Sequence, residues 1–307
     1  ALAMLNVNKI WPIAGLSGNL EDNSTFSIYA TTESLSSYRK LITIRSNGMS
    51  ADGLAKATVT EKALIYPILF NSPPAPLMVN HGFSSAGEFE LAANPNGLGT
   101  AFPLSLWSGA AVALSGTQHH SCILSEFNAG NCATNTYSDH TSKLDDIADG
   151  STSFPADLFS YLFNIPSSEW LELQQQSDFV LVDCDTLDIN SWGVIWVNGD
   201  CDVSAGAQIG NDLEPIILII FDGNIEFQND VVMYGLVFAF KPLGSTKILD
   251  INMQTNSAVH GSVVTNYQLG TKSSFIRVAF RADVMQKLQD SKKLRRVARI
   301  PGSWHDF

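Results

Sequence analysis

Charge is what this 307-residue chain has least of, since Asp, Glu, Lys and Arg make up only 16% of it, against roughly 25% in ordinary soluble domains. Ser, Thr, Asn and Gln must therefore cover much of the surface, which suits an exported protein better than a cytosolic enzyme. Basic residues are the scarcer sign, 18 Lys and Arg against 30 Asp and Glu, for a formal net charge of −12. Such a body repels phosphate backbones and anionic lipid at long range, so nucleic acid is a poor partner for it. Long apolar runs are missing too: the longest candidate, Ile216 to Phe221, falls far short of the ~20 residues that span a bilayer. No Cys-x-x-Cys pair occurs, and His119 and His120 sit in a Ser/Gly/Thr loop, which weighs against zinc. What is not scarce is core material, because 45% of the residues are apolar.

Repetition is the strongest positive signal. Gly193-Val194-Ile195-Trp196-Val197-Asn198-Gly199 is echoed by Ile217-Leu218-Ile219-Ile220-Phe221-Asp222-Gly223, each an apolar run closed by a turn pair with glycine second, and 223 − 199 gives a spacing of 24. Met233-Tyr234-Gly235-Leu236-Val237-Phe238 is echoed by Val259-His260-Gly261-Ser262-Val263-Val264, and 261 − 235 gives 26. A near-constant period of this size suits β-solenoid coils. One coil cannot bury its apolar face alone, so coils must stack into a rod, with Val203, Phe227 and Met253 forming one internal column.

Around this core the chain divides into residues 1–72 and 73–307. Ala1-Leu2-Ala3-Met4-Leu5 reads as the end of a longer helix. Phe26-Ser27-Ile28-Tyr29, Leu41-Ile42-Thr43-Ile44 and Ala57-Thr58-Val59-Thr60 alternate as an antiparallel meander, with Ser46-Asn47-Gly48 and Ala51-Asp52-Gly53 as turns. Pro73, Pro74 and Pro76 mark the junction. Short strands between Gly/Asn/Pro turns follow in Leu77 to Gly82, Glu88 to Leu91, Leu104 to Trp107 and Ala111 to Leu114. Residues 118–178 then read as an insertion on the solenoid flank, with one helix near Pro155 carrying Leu158, Phe159, Leu162 and Phe163, and another from Ser167 carrying Trp170 and Leu173. The solenoid resumes near Leu187 and ends at Phe280, where Ala282 to Gln289 forms a capping helix. The single basic cluster, Lys292-Lys293-Leu294-Arg295-Arg296-Val297-Ala298-Arg299, reads as a solvated run that folds back on the acidic body, with a docking site for nucleic acid or a membrane as the alternative. Trp304 and Phe307 close the chain, and large aromatics at such a place suggest packing.

Four cysteines allow three pairings, of which Cys122 with Cys132 and Cys184 with Cys201 is the simplest; buried thiols are the alternative. Disulfides would add about 2 to 4 kcal/mol each and would imply an oxidising compartment. Solenoids also scaffold polysaccharide hydrolases, for which Asp183, Asp185, Asp188, Asp200, Asp202 and Asp222 are the available carboxylates, yet most flank turns, where Asp serves the backbone. A binding module, such as an adhesin for a glycan or a surface, is a further class. Asp145, Asp146 and Asp149 offer oxygens for calcium without the spacing of an EF-hand loop, while Trp107, Trp170, Trp192 and Trp196 suit a core better than a stacking platform.

Several strings resemble the PilX-type minor pilins of bacterial type IV pili. They are Ile44-Arg45-Ser46-Asn47-Gly48 with Ala51-Asp52-Gly53, Asn94-Pro95-Asn96-Gly97 with Pro103-Leu104-Ser105-Leu106-Trp107-Ser108, Ser121-Cys122 with Glu126-Phe127, and Phe154-Pro155-Ala156-Asp157-Leu158-Phe159. Gly193-Val194-Ile195-Trp196-Val197 with Gly199-Asp200-Cys201, Tyr234-Gly235-Leu236-Val237 and Pro301-Gly302-Ser303-Trp304-His305-Asp306-Phe307 complete the set. None is a catalytic motif. The resemblance implies a mainly β head: a pilin-like helix end with an antiparallel sheet, then a β-solenoid (β-helix) with a helical insertion and a C-terminal capping helix. It also implies an apolar N-terminal helix ahead of Ala1 as the one link to the membrane, residence in the inner membrane and periplasm before assembly, and exposure outside the cell afterwards. Partners would be other minor pilins and a PilY-class tip adhesin. No enzyme activity, cofactor or metal is implied.

Overall fold

The computed structural model describes residues 15–36, 39–84, 87–114, 119–132, 137–271 and 274–306. The helix expected at Ala1 to Leu5 lies outside these. The chain forms two compact units, residues 1–68 with 289–307 and residues 69–288. The C-terminal stretch thus groups with the first unit, whereas a single cut at residue 72 assigned it to the second.

In the first unit β1 (Leu16–Asn19), β2 (Thr25–Ser34), β3 (Lys40–Met49) and β4 (Lys56–Pro67) form an antiparallel meander. Alternation puts Ile42 and Ile44 of β3 on one face with Ile65 of β4, where they form a small core that Ile28 and Ala30 flank. The β3–β4 turn uses Asp52, whose carboxylate accepts the Leu54 N–H at 3.0 Å. Ser46-Asn47-Gly48 is not a turn: these residues continue β3, because Ser27 and Thr58 pair with Asn47 from both sides and override its turn preference.

The second unit is built on parallel pairing. It holds β5 (Leu77–Val79), β6 (Gly87–Ala92), β7 (Leu106–Ser108), β8 (His119–Cys122), β9 (Ile147–Ala148), β10 (Phe179–Leu181), β11 (Val194–Asn198), β12 (Cys201–Val203), β13 (Gln208–Ile209) and β14 (Ile216–Phe221). After these come β15 (Ile225–Phe227), β16 (Val232–Phe240), β17 (Ile251–Met253), β18 (Ala258–Thr265) and β19 (Ser274–Ala279). Its main sheet runs β10-β11-β14-β16-β18 and then forks, one branch through β19, β6 and β8, the other through β5, β7 and β9. A smaller sheet, β12-β15-β17, faces it.

Register makes the packing explicit. Phe179, Ile195, Leu218, Val237, Val263, Leu77, Leu106 and Ile147 are successive partners across eight strands. All but Phe179 belong to the buried cluster between the sheets. Opposite them, Val203, Phe227 and Met253 are register partners in the small sheet, the column anticipated from the repeats. The echoed glycines Gly235 and Gly261 also pair. Their φ values are 140° and 150°, and a Cβ on either would lie 1.9 Å from the carbonyl oxygen of the preceding rung, so only glycine fits.

The outward face of the main sheet is apolar too, which explains why Ile216 to Phe221 does not alternate. It is covered by α2 (Leu158–Phe163) and α3 (Trp170–Gln176), which follow the short α1 (Leu124–Asn128). Asp157 caps α2 by accepting the Ser160 N–H at 3.0 Å. Phe159 then packs 5.9 Å from Phe238 and 4.9 Å from Phe240, while Trp170 stacks 5.7 Å from Trp196.

Four expectations change. Residues 118–178 are not only a flanking insertion, since β8 and β9 within them extend the sheet, and α1 had no signal beyond five residues beside a disulfide. The rungs do not follow chain order, because β5 and β6 pair beyond β18 and β19. Ala111 to Leu114 forms no strand, only a bridge from Val112 to Phe83. The ladder does not stop at Phe280 either: β6 continues it, so α4 (Ala282–Asp290), whose Val284, Met285 and Leu288 are buried, does not close a sheet end at β19. Finally, the chain returns to the first unit, where β20 (Arg295–Arg299) and β21 (His305–Asp306) pair with β4. The basic cluster is therefore a 3-10 turn, Lys292–Leu294, that leads into the edge strand β20, and Trp304 is 58% exposed.

Truncation of Phe227, which is fully buried, should cost about 3–5 kcal/mol. Urea unfolding of Phe227→Ala checks this, with an unchanged m-value expected.

Candidate functional site

Both disulfides anticipated as the simplest pairing are present. Cys122 joins Cys132 with Cα atoms 5.3 Å apart, and Cys184 joins Cys201 at 5.0 Å. The first ties the end of β8 to the loop after α1, beside Ala92, Ala258 and Ala279. The second ties the loop after β10 to the first residue of β12, with both cysteines in the core.

The aspartates proposed for hydrolysis are placed in turn and ladder bonds. Asp200 Oδ1 accepts the Asn224 N–H at 2.7 Å and Asp202 Oδ1 accepts Gln228 Nε2 at 3.0 Å, each from the next rung of the small sheet. Asp183 and Asp188 accept backbone N–H groups two residues on, at 3.2 and 2.9 Å. Asp185 is exposed near them. Asp222 accepts from Ser245 Oγ at 2.5 Å and faces Lys247 at 3.4 Å. Further along the same face Glu226 accepts from Asn252 at 2.9 Å and Asp230 from Asn256 at 2.9 Å. These side chains form a polar ladder that holds neighbouring rungs together.

The acidic loop is likewise dispersed. Asp146 is buried and accepts from Ser138 N and Oγ, Asp145 is exposed, and Asp149 pairs with Lys143 at 2.8 Å and accepts the Val112 N–H. Among the described residues no group of three or more His, Cys, Asp or Glu side chains is placed to hold a metal ion. His119 is buried against Phe89, ring centroids 4.8 Å apart, and His120 lies 5.8 Å from His140. The tryptophans serve packing: Trp196 is fully buried, Trp107 meets Phe154 edge-on at 5.1 Å, and Trp192 meets Phe179 at 5.1 Å.

One feature had no counterpart in the sequence reading. Among the described residues strand β10 is an edge of the main sheet, paired only with β11, and its row Phe179, Val180 and the following Val182 is exposed. The signal available beforehand was the run Phe179-Val180-Leu181-Val182 between Asp178 and Asp183.

The environment of His260 sets a clear pH response. It stacks on its register partner Tyr234 at 5.0 Å, with Phe127 at 6.4 Å. Burial first, then Arg281 and Arg277, disfavour its charged form, and Asp283 opposes them only in part, so its pKa is lowered to about 4.

No family model matches the chain, and no curated protein matches it. Among solved structures, the competence-associated pilin ComZ from Thermus thermophilus aligns at 11% identity over 96% of this chain and 86% of that one, with a TM-score of 0.23. No helix among the described residues is long and apolar enough to cross a membrane.

Two outcomes follow from this geometry. The Cys184→Ser, Cys201→Ser double variant should lose about 2–4 kcal/mol, read by denaturant unfolding with and without reductant, and reductant should have less effect on it than on the parent. For His260 the folded pKa lies below the unfolded one, so the unfolded chain takes the proton first; this stability is complete above about pH 6.5 and drains away as pH falls toward about 4. The His260→Gln variant should show a flatter acid limb in unfolding measured across that window.

Proposed function

We propose that this chain is the head of a type IV pilus minor pilin, a structural subunit that joins sibling minor pilins in the complex from which a filament grows. In this reading the parallel rungs are β-solenoid coils and the mainly β head is a rigid block presented outside the inner membrane, then outside the cell. Its partners are other minor pilins and a PilY-class tip adhesin. No bond is made or broken in this role.

One observation carries the reading: the strings that resemble PilX-type pilins occupy the positions on which the packing rests. Gly193 to Val197 leads into and forms β11, and Gly199-Asp200-Cys201 is the turn that one disulfide holds. Tyr234 to Val237 lies in β16 and carries the glycine that only fits without a Cβ. Phe154 to Phe159 supplies the α2 cap and the aromatics over the sheet, while Pro301 to Asp306 supplies the turn into β21. Both disulfides suit an oxidising compartment, and the carboxylates sit in structural bonds.

The purified head should co-purify and crosslink with at least one sibling minor pilin head encoded beside it. Failure with every sibling, at concentrations where siblings associate with each other, overturns the reading.

A further inference from the structure

We infer that the open edge of β10 docks a β-strand of another polypeptide, one that is apolar at alternate positions and bracketed by Lys or Arg, and that this strand extends the parallel sheet by one rung. The inference is independent of the pilin reading, since it starts from the edge alone. An edge strand leaves a row of N–H and C=O groups unpaired, and proteins ordinarily protect such rows with Lys, Pro or a bulge. Here the row is Phe179-Val180-Leu181-Val182, three strong β-formers and a leucine with no charge among them. Val180 is 52% exposed and Val182 77% exposed. Scattered surface apolar residues are ordinary, but a consecutive run on an unpaired edge is a template for strand addition.

The edge is also held ready. Asp178 donates its N–H to Val194 O at 2.8 Å and accepts the Val194 N–H on its carboxylate at 2.9 Å. Trp192 braces Phe179, Leu181 packs on the core, and Cys184 is tied to Cys201 two residues after Val182. A strand that docks therefore pays little to order its receptor.

Charge decides the occupant. Between Lys143 and Lys241 the sequence has no Lys, Arg or His at all, against 17 Asp and Glu. Strands β10 to β16 all lie in this span, and Asp178, Asp183 and Asp185 flank the edge itself. A basic strand is attracted to the acidic residues that flank this edge, while an acidic one is repelled. The competing occupant is a second copy, because β20 is a basic edge strand with Arg295 and Arg299. The net charge of −12 on each chain opposes that pairing at long range.

The test uses the whole chain and a short fluorescent peptide that alternates valine and threonine and is bracketed by lysines. Saturable binding by anisotropy at low salt is expected, weakened about tenfold or more when the lysines become glutamates, and by a similar factor in the Val180→Lys, Val182→Lys double variant with an unchanged unfolding midpoint. On the parent protein, which removes any doubt over folding of the variant, hydrogen exchange at residues 179–182 should slow when peptide is added. Absence of saturable binding, equal affinity for the glutamate peptide, or unaltered exchange at those amides overturns the proposal. Concentration-dependent dimers that the double variant abolishes also overturn it, in favour of a second copy.

Discussion

A parallel strand that is apolar on both faces has no stable state unless both faces are covered, and the second unit is arranged around that demand. Strand β14 shows it most plainly: Ile216, Leu218 and Ile220 point to the cluster between the sheets, while Ile217, Ile219 and Phe221 point the other way. The inward side is filled by the column Val203, Phe227 and Met253 of the small sheet. The outward side is filled by α2 and α3, whose Phe159, Phe163 and Trp170 meet Phe238, Phe240, Trp196 and Phe221. Aromatic side chains are efficient here, since each buries much area and edge-on or tilted pairs add to area burial.

With the apolar faces committed to each other, polar residues are left for turns and for the outward face of the small sheet, where they bond from rung to rung. Asp200 with Asn224, Asp202 with Gln228, Glu226 with Asn252 and Asp230 with Asn256 repeat one solution at offsets of 24, 26, 26 and 26 residues. A carboxylate that accepts from the rung above screens its charge without a cation, which is how a long acidic span tolerates its lack of Lys and Arg.

Strand addition along a sheet has to end somewhere, and the two ends are treated differently. At the forked end, β8 and β9 are followed or preceded by helix α1, a disulfide and loops bonded through Ser138 and Asp146. At the other end β10 carries apolar residues on a row that is unpaired among the described residues.

Local signals were enough for the meander of Phe26 to Thr60, the disulfide pairing, both helices over Leu158 and Trp170, and the 24- and 26-residue echo, because hydrophobic period, turn glycines and cap residues are all written within a few positions of each other. Ser46-Asn47-Gly48 misled for the opposite reason, since two neighbouring strands outweighed a turn propensity. Which rung lies beside which was not readable: β5 and β6 join beyond β18 and β19, and parallel partners separated by some 190 residues leave no local trace. The free edge at β10 depended on that order, so it too emerged only from the tertiary structure. The sequence by itself determined how often the chain turns and which residues seek a core; the fold decided the stacking order, because burial of both sheet faces is a condition on the whole unit and not on any one segment.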